Sequence, residues 1–196
     1  MTNHLEAALQ RLNDAIALAS ANNLPDARAA TLATATPEGI PSARTVYIEF
    51  FDPPGPIFFA NTKSGKGIQL KANPLVALCF YWPSINLQIL VDGKVDTLSP
   101  DESDKYWNSR SRESQIGAWA SEQSLPSENS DELKERVLST KKQFSFERIP
   151  RPDHWLAFQV APSRLEFWQS GWGRLRARTK YYKDEHGQWQ VVEVNP

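Results

Sequence analysis

The N-terminal segment carries apolar side chains spaced by three and four positions. Between residues 4 and 21 these are Leu5, Ala8, Leu9, Leu12, Ala15, Ile16 and Leu18. This spacing puts them on one face of a helix, so the segment is predicted to form an amphipathic helix. The helix is predicted to stop before Pro25, because proline cannot continue the helical hydrogen-bond pattern.

The chain after residue 29 is rich in β-branched and aromatic residues that are interrupted by turn signals. Residues 30–36 and 41–51 flank Pro37-Glu38-Gly39, a pattern typical of an antiparallel hairpin. The turn at 184–187 predicts a second hairpin near the end of the chain. Further strands are predicted at 57–60, 75–81, 87–95, 155–160, 164–169, 174–182 and 188–194.

Helical segments separate groups of strands without alternating with each strand. A short helix is predicted to end near Pro74, and the compositions of 101–109 and 130–146 favour helices on either side of a polar loop. Because βαβ alternation is missing, we expect a mainly β (α+β) fold, an antiparallel barrel of about six to seven strands with peripheral helices. Residues 1–25 are predicted to be an N-terminal helix and residues 26–196 a single barrel domain.

Composition narrows the class of protein. The 196 residues include 22 Lys+Arg and 23 Asp+Glu, a near-neutral balance that argues against nucleic-acid binding through phosphate contacts. No signal-peptide pattern and no apolar run of roughly 20 residues is found, so we expect a cytoplasmic protein with no membrane partner. The single cysteine, Cys79, excludes an intrachain disulfide framework, and its apolar strand favours a packing role.

The common catalytic motifs are missing from the sequence. The three histidines lie far apart, so no metal site is expected, and no P-loop, dinucleotide-binding turn or nucleophile elbow is found. Alternation along the predicted last hairpin places Arg174, Arg176 and Arg178 on one face. Such a stripe suggests a phosphate or carboxylate ligand, or neighbouring carboxylates, between the guanidiniums. On these residues alone, a solvated edge strand that resists aggregation is the favoured interpretation.

Three longer segments of the sequence form recognisable motifs, and the second and third of them are long and specific. They read ATLATATPEGIPSARTVYIE (30–49), KYWNSRSRESQIGAWASEQS (105–124) and EFWQSGWGRLRARTKYYKDEHGQWQVVEVNP (166–196). Through these segments the chain, from residue 28 or so to residue 196, resembles the pyridoxamine 5'-phosphate oxidase family of FMN-dependent enzymes. The resemblance implies a split β-barrel homodimer that binds FMN at the subunit interface.

The resemblance implies FMN-binding residues in several separate segments. Arg44 and Lys66 would offer cations to the FMN phosphate, where charge-assisted hydrogen bonds are strong. The backbone of residues 45–48 and the amide of Gln123 would hydrogen-bond the flavin ring edge, and Trp168 would cover ring surface. The full implied set is Arg44, Thr45, Val46, Tyr47, Ile48, Phe59, Ala60, Lys66, Gln88, Gln123, Ser124, Trp168 and Arg178.

The resemblance also implies a substrate site. Tyr106, Arg110 and Ser114 match the family's contacts to the substrate phosphate. Arg174 matches the arginine that lies over the substrate near its reacting carbon. Arg174 is therefore the predicted catalytic residue, which would orient and polarise the substrate.

Two implied substrate contacts depart from the family pattern. Glu49 stands where a lysine is expected, and Arg176 stands where a histidine is expected. A carboxylate at position 49 disfavours a dianionic phosphate unless its side chain points away. Family relatives that act on dihydrophenazine carboxylates in phenazine biosynthesis can carry glutamate there, and Arg176 would suit a carboxylated substrate.

The resemblance implies an FMN-dependent oxidase. The expected reaction is hydride transfer from pyridoxamine or pyridoxine 5'-phosphate to FMN, with O2 as the electron acceptor. Two alternatives stay open. The chain could oxidise another anionic heterocycle such as a dihydrophenazine carboxylate, or it could bind flavin or pyridoxal phosphate without turnover.

Overall fold

The computed structural model describes residues 4–50, 53–121, 123–124, 130–170 and 176–195. Within them the helices are α1 (His4–Ala21), α2 (Gly65–Ala72), α3 (Pro100–Ser109), α4 (Arg112–Ala120) and α5 (Ser130–Gln143). The strands are β1 (Ala29–Ala35), β2 (Pro41–Phe50), β3 (Ile57–Asn61), β4 (Leu75–Trp82), β5 (Leu87–Thr97), β6 (Trp155–Ser170), β7 (Arg176–Lys183) and β8 (Trp189–Val194).

Six strands close into an antiparallel barrel. They follow the order β3-β2-β1-β4-β5-β6, and β3 also pairs with β6, which closes the ring. Strands β7 and β8 extend the sheet beyond β6. The mainly β, antiparallel barrel with peripheral helices is therefore confirmed, with eight strands in the described residues, six of which form the barrel wall.

Strand β6 is continuous where the sequence predicted two strands, at 155–160 and 164–169. Gly93 of β5 pairs with Pro162, but Asp92 pairs with Arg164, so Ser163 is an extra residue in a β-bulge. Pro162 lacks an N–H and fits a strand only where the ladder is interrupted. A Cβ at Gly93 would lie 2.4 Å from the carbonyl oxygen of Ala161, so the bulge also requires glycine there.

The barrel interior and helix α1 share one hydrophobic core. Leu32, Leu78 and Ile89 are fully buried inside the barrel, and Leu12 of α1 belongs to the same cluster. The predicted apolar face of α1 is confirmed except at Leu18, which is 49% exposed, while Ala19 is buried in its place. The domain boundary at residue 25 stays a prediction.

Helices α3, α4 and α5 pack around a second cluster beside the barrel. Its buried members are Trp107, Ile116, Phe144, Ile149 and Trp155. The sequence analysis missed α4, which begins where the side chain of Ser111 accepts a hydrogen bond from the Ser114 backbone. Serine at position 111 and Glu113 in the first turn were the available signals for this helix.

The sequence analysis also made predictions about membrane spans, metal sites and Cys79. No helix of the described residues is long and apolar enough to cross a membrane, and no group of three or more His, Cys, Asp or Glu side chains among these residues is placed to hold a metal ion. Cys79 is half-buried in β4, and burial raises the pKa of its thiol. This shift disfavours the reactive thiolate, so it supports the packing role expected for Cys79.

Candidate active site

A cleft of about 470 Å³ opens between strands β2 and β3 on one side and helices α2 and α4 on the other. Its wall includes seven of the predicted flavin residues, Thr45, Val46, Tyr47, Phe59, Ala60, Lys66 and Gln123. It also includes three of the predicted substrate residues, Glu49, Arg110 and Ser114. Segments that are far apart in the sequence therefore meet at one site.

Alternation along strand β2 sets which of its side chains are exposed beside the cleft, whose wall includes Thr45, Val46, Tyr47 and Glu49. Tyr47 is half-exposed on the outer face, whereas Ile48 is fully buried in the barrel. Glu49 returns to the cleft side, where it lines the wall. The side chain of Ile48 is thus a core residue, and a flavin contact at this position would have to use the backbone.

Lys66 lies at one end of the cleft, on the first turn of α2. Its Nζ donates to Gln123 Oε1 at 2.9 Å and to Ser64 Oγ at 3.4 Å. Burial, followed by the nearby charge of Arg44, lowers the pKa of Lys66. The first turn of α2 packs closely against the segment before the helix. A Cβ at Gly67 would lie 2.4 Å from the carbonyl oxygen of Asn61, so this position requires glycine.

Arg44 lies behind Lys66 and is not part of the cleft wall. Its Nη1 donates to Thr34 Oγ1 at 2.6 Å, and its Nη2 donates to Gln69 Oε1 at 3.3 Å. Burial lowers the pKa of Arg44 from its ordinary value. Arg44 and Lys66 together form what we call the cation end of the cleft.

The opposite end of the cleft continues into a side pocket of about 230 Å³, which we call the anion pocket. Tyr106, Ser109, Arg110, Ser111 and Ser114 line it together with Glu49 and Phe59. All three residues predicted to contact the substrate phosphate, Tyr106, Arg110 and Ser114, are therefore brought together.

Arg110 is the main cation of the anion pocket. Within the described residues its buried Nε has no hydrogen-bond partner. Burial lowers the pKa of Arg110, while the charge of Glu49 raises it. Glu49 therefore does not point away: it lies on the pocket wall and partly compensates the charge of Arg110.

Aromatic rings connect the two parts of the site. Phe59 stacks on Trp155 with ring centroids 4.3 Å apart, and Tyr106 meets Phe59 edge-on at 5.5 Å. The guanidinium of Arg110 lies over the Trp155 ring at 5.0 Å. Trp155 thus supports both the apolar wall and the pocket cation.

The sequence analysis missed five residues of the cleft wall, Asn61, Gly117, Ala118, Ser121 and Trp155. Three of them are on or directly after α4, the helix that was not predicted. The sequence analysis placed Trp155 only at the start of a predicted strand. An aromatic residue there can line a cleft or pack in the core, and the sequence alone does not distinguish the two.

A second group of predicted flavin residues lies elsewhere. Gln88, Trp168 and Arg178 are register partners across β5, β6 and β7, so they form one row. Trp168 is 13 positions beyond Trp155 on β6, a path of roughly 40 Å along the strand at 3.3 Å per residue, and none of the three residues lines the cleft. Within one chain, Gln88, Trp168 and Arg178 therefore lie away from the cleft.

Arg178 is one of the three arginines that the sequence predicts on one face of a strand, and the structure shows which group balances its charge. Its Nη2 and Nε donate to Glu166 Oε1 at 2.6 and 3.0 Å, and the Glu166 side chain is 7% exposed. A carboxylate of the chain itself thus neutralises Arg178. Arg174 and the side chain of Arg176 lie outside the described residues, so the predicted catalytic role of Arg174 stays a prediction.

Ser124, the remaining predicted flavin residue, follows Gln123 at the edge of the cleft. It is exposed and its backbone φ is 71°, in the left-handed region. This conformation is uncommon for a non-glycine residue and marks a sharp turn after α4.

Comparison with known protein families identifies the family of this chain. A family model described as pyridoxamine 5'-phosphate oxidase matches residues 18–144. The chain belongs to this family. A second model, described as the pyridoxine 5'-phosphate oxidase C-terminal dimerisation region, matches residues 155–196.

Relatives and solved structures agree with the family assignment. The chain is 45% identical over 188 residues to pyridoxine/pyridoxamine 5'-phosphate oxidase of Anaeromyxobacter dehalogenans, covering 96% of this chain and 94% of that one. It is 42% identical over 178 residues to the protein of the same name from Bdellovibrio bacteriovorus, covering 91% of each. These family matches support an oxidoreductase.

Among solved structures, PhzG from Burkholderia lata 383, in complex with tetrahydrophenazine-1-carboxylic acid, aligns with a TM-score of 0.90 and 27% identity. The alignment covers 95% of this chain and 91% of that chain. A pyridoxamine 5'-phosphate oxidase-related, FMN binding protein from Nostoc punctiforme shares the fold, with a TM-score of 0.74 at 20% identity over 93% and 96% of the two chains.

Proposed function

We propose that this chain is an FMN-dependent oxidase of pyridoxine or pyridoxamine 5'-phosphate, with O2 as the electron acceptor. The observation that carries the proposal is one continuous cleft with cations at both ends. Lys66 lines one end, with Arg44 outside the wall but within electrostatic reach of Lys66, and Arg110 lies in the anion pocket at the other end. Two phosphates, one on the cofactor and one on the substrate, match such a pair of cationic ends.

The residues of the cleft fit a flavin nucleotide. The volume of the cleft lies in the range of small-molecule sites, and its walls combine apolar side chains with a few polar groups. Phe59 and Tyr47 offer apolar surface, Val46 and Ala60 line the wall as buried core residues, and Thr45 and Gln123 offer hydrogen-bonding groups. FMN, when bound, would supply the redox chemistry by accepting a hydride equivalent and passing electrons to O2.

The task of the chain's own residues is to bind and orient the substrate. Arg110, with Tyr106 and Ser114, would hold the substrate anion in the anion pocket. Arg174 would orient and polarise the reacting part of the substrate, as the family resemblance implies. No side chain is required as a nucleophile in this reaction, which agrees with the lack of a nucleophile motif.

The proposal includes a homodimer whose subunits complete each other's sites. The row Gln88, Trp168 and Arg178 lies far from the cleft of its own chain. The outer face of the barrel exposes large apolar side chains, with Tyr47, Leu75 and Tyr81 each more than half exposed. An exposed apolar face of this kind is typical of a subunit interface, and the matched C-terminal dimerisation region supports one.

A second candidate substrate class is favoured by Glu49. Its carboxylate lies on the wall of the anion pocket beside Arg110. A compensated guanidinium suits a monoanionic carboxylate better than a phosphate dianion. A dihydrophenazine carboxylate is such a substrate, and the alignment with the PhzG complex supports this candidate.

Anaerobic reduction of the flavin-loaded protein distinguishes the candidates. We expect pyridoxine 5'-phosphate to bleach the visible flavin band, and air to restore it with release of hydrogen peroxide over many turnovers. Bleaching by a dihydrophenazine carboxylate alone would favour the second substrate class. A protein that binds FMN but is bleached by neither compound would be a binding protein, which would contradict the proposal.

A further inference from the structure

Gln69 lies on helix α2 behind the cation end, outside the cleft wall and outside the set of residues implied by the family resemblance. Its Oε1 accepts from Thr34 Oγ1 at 2.5 Å and from Arg44 Nη2 at 3.3 Å. Its Nε2 donates to Ser42 Oγ at 3.0 Å. One amide thus ties α2 to strands β1 and β2.

The same hydrogen bonds hold one edge of the Arg44 guanidinium. Nη1 donates to Thr34 Oγ1 at 2.6 Å and to the carbonyl oxygens of Leu32 and Ser42 at 3.3 Å each. Within the described residues, Nε and the second N–H of Nη2 make no hydrogen bond. Neighbouring N–H groups of a guanidinium form the fork that binds two oxygens of one phosphate.

Helix α2 carries both Gln69 and Lys66, three positions apart. The charge of Arg44 contributes to the lowered pKa of Lys66, so the two cations lie within electrostatic reach of each other. Like charges at such a distance repel when no anion lies between them. A neutral amide that bridges α2 to Arg44 opposes this repulsion without compensating either charge.

We propose that Gln69 is a positioning residue for the phosphate end of the flavin nucleotide. By anchoring Arg44 through Thr34 and by its own carbonyl, it fixes the guanidinium relative to Lys66 so that both cations meet the same phosphate. This inference rests on the proposed binding of FMN. It assigns to Gln69 an effect on the phosphate group alone, since the amide lies outside the cleft wall and, within the described residues, bonds only to Thr34, Arg44 and Ser42.

The test compares FMN with riboflavin, which lacks the phosphate, in titrations of the flavin-free full chain. We expect Gln69→Met to weaken FMN binding roughly 10-fold, the effect of losing one hydrogen bond to a charged group, and to leave riboflavin binding unchanged. The matched control is Lys71→Met, an exposed residue of the same helix, which should change neither affinity.

Thr34→Val provides a second, nearly isosteric variant. Because Thr34 and Gln69 act on the same guanidinium, we expect the FMN affinity of the double variant to be close to that of either single variant. Equal weakening of FMN and riboflavin would show a merely structural role, and an unchanged FMN affinity in both single variants would overturn the inference. A wild-type chain that fails to prefer FMN over riboflavin would contradict the proposed function instead.

Discussion

The two ends of the cleft hold their cations with different partners. At the cation end, Lys66 bonds to Gln123 and Ser64, and Arg44 bonds to Thr34 and Gln69, all of them neutral. In the anion pocket, Arg110 lies instead beside the carboxylate of Glu49. Neutral acceptors orient a cation and leave its charge available, whereas a carboxylate removes part of that charge.

This difference indicates separate requirements at the two ends. Two uncompensated cations match a dianion such as the phosphate of a flavin nucleotide. One guanidinium beside one carboxylate leaves a weaker positive field, which tolerates anions of lower charge. The cation end is thus expected to decide cofactor retention, and the anion pocket is expected to decide substrate choice.

The largest expected effect concerns Arg110. Arg110→Met keeps most of the side-chain length but removes the cation of the anion pocket. We expect kcat/KM for pyridoxine 5'-phosphate to fall about 100-fold, because hydrogen bonds between charged groups contribute up to roughly 3 kcal/mol. FMN affinity should stay unchanged.

Arg148→Met is the matched control for Arg110→Met. Arg148 is exposed, donates a hydrogen bond to Asn108 of α3 and does not line the cleft. The control variant should keep wild-type kinetics. If Arg110→Met retained its kcat/KM, the anion pocket would not be the substrate site.

Lys66→Met tests the other end of the cleft. We expect the FMN Kd to rise about 30-fold, because the cleft loses Lys66, the cation that lines its wall at this end. Lys63→Met is the control, since Lys63 is exposed three positions earlier and lies outside the cleft wall. Fluorescence titration measures both affinities, and equal losses in the two variants would contradict a specific role for Lys66.

Glu49→Gln sharpens the comparison between the ends. Removal of the carboxylate should strengthen the field around Arg110 and lower KM for pyridoxine 5'-phosphate about 5-fold, in line with a partly exposed charge interaction of roughly 1 kcal/mol. FMN binding should not change. Steady-state kinetics measure the effect, with Glu135→Gln on the exposed face of α5 as the control; a raised KM would mean that Glu49 itself contacts the substrate.

Much of the fold could be predicted from the sequence, because it follows from local patterns. The apolar spacing of α1 and the turn signals around Gly39 and Gly187 are read within a few residues, and both glycines have positive φ. The bulge at Pro162 could not be predicted, since it depends on the backbone of Gly93, 69 positions away in the chain.

The site was predicted less completely, and the reason is geometrical. Family resemblance supplied Lys66, Arg110 and Ser114, which the structure brings to one cleft. It gave no indication that Glu49 faces Arg110 or that Gln69 bonds to Arg44. A single sequence does not show in which direction each side chain points. Wherever a role depends on which charges face each other, three-dimensional packing decides it.

The pH dependence of the cation end gives the smallest expected effect. Burial and the charge of Arg44 lower the pKa of Lys66 below the ordinary lysine value, so deprotonation begins at a lower pH than in a free lysine. Only the protonated amine attracts a phosphate. FMN affinity should therefore fall as pH rises through the pKa of Lys66.

The stability of the flavin-free protein should change in the opposite direction over the same interval. A lysine whose folded-state pKa is lowered carries an unfavourable charge below that pKa, and this penalty disappears as pH rises toward the unfolded value. FMN titrations and denaturant unfolding at a series of alkaline pH values measure the two trends. Both trends should be lost in Lys66→Met and retained in Lys63→Met; if they persist in Lys66→Met, another group titrates at the cation end.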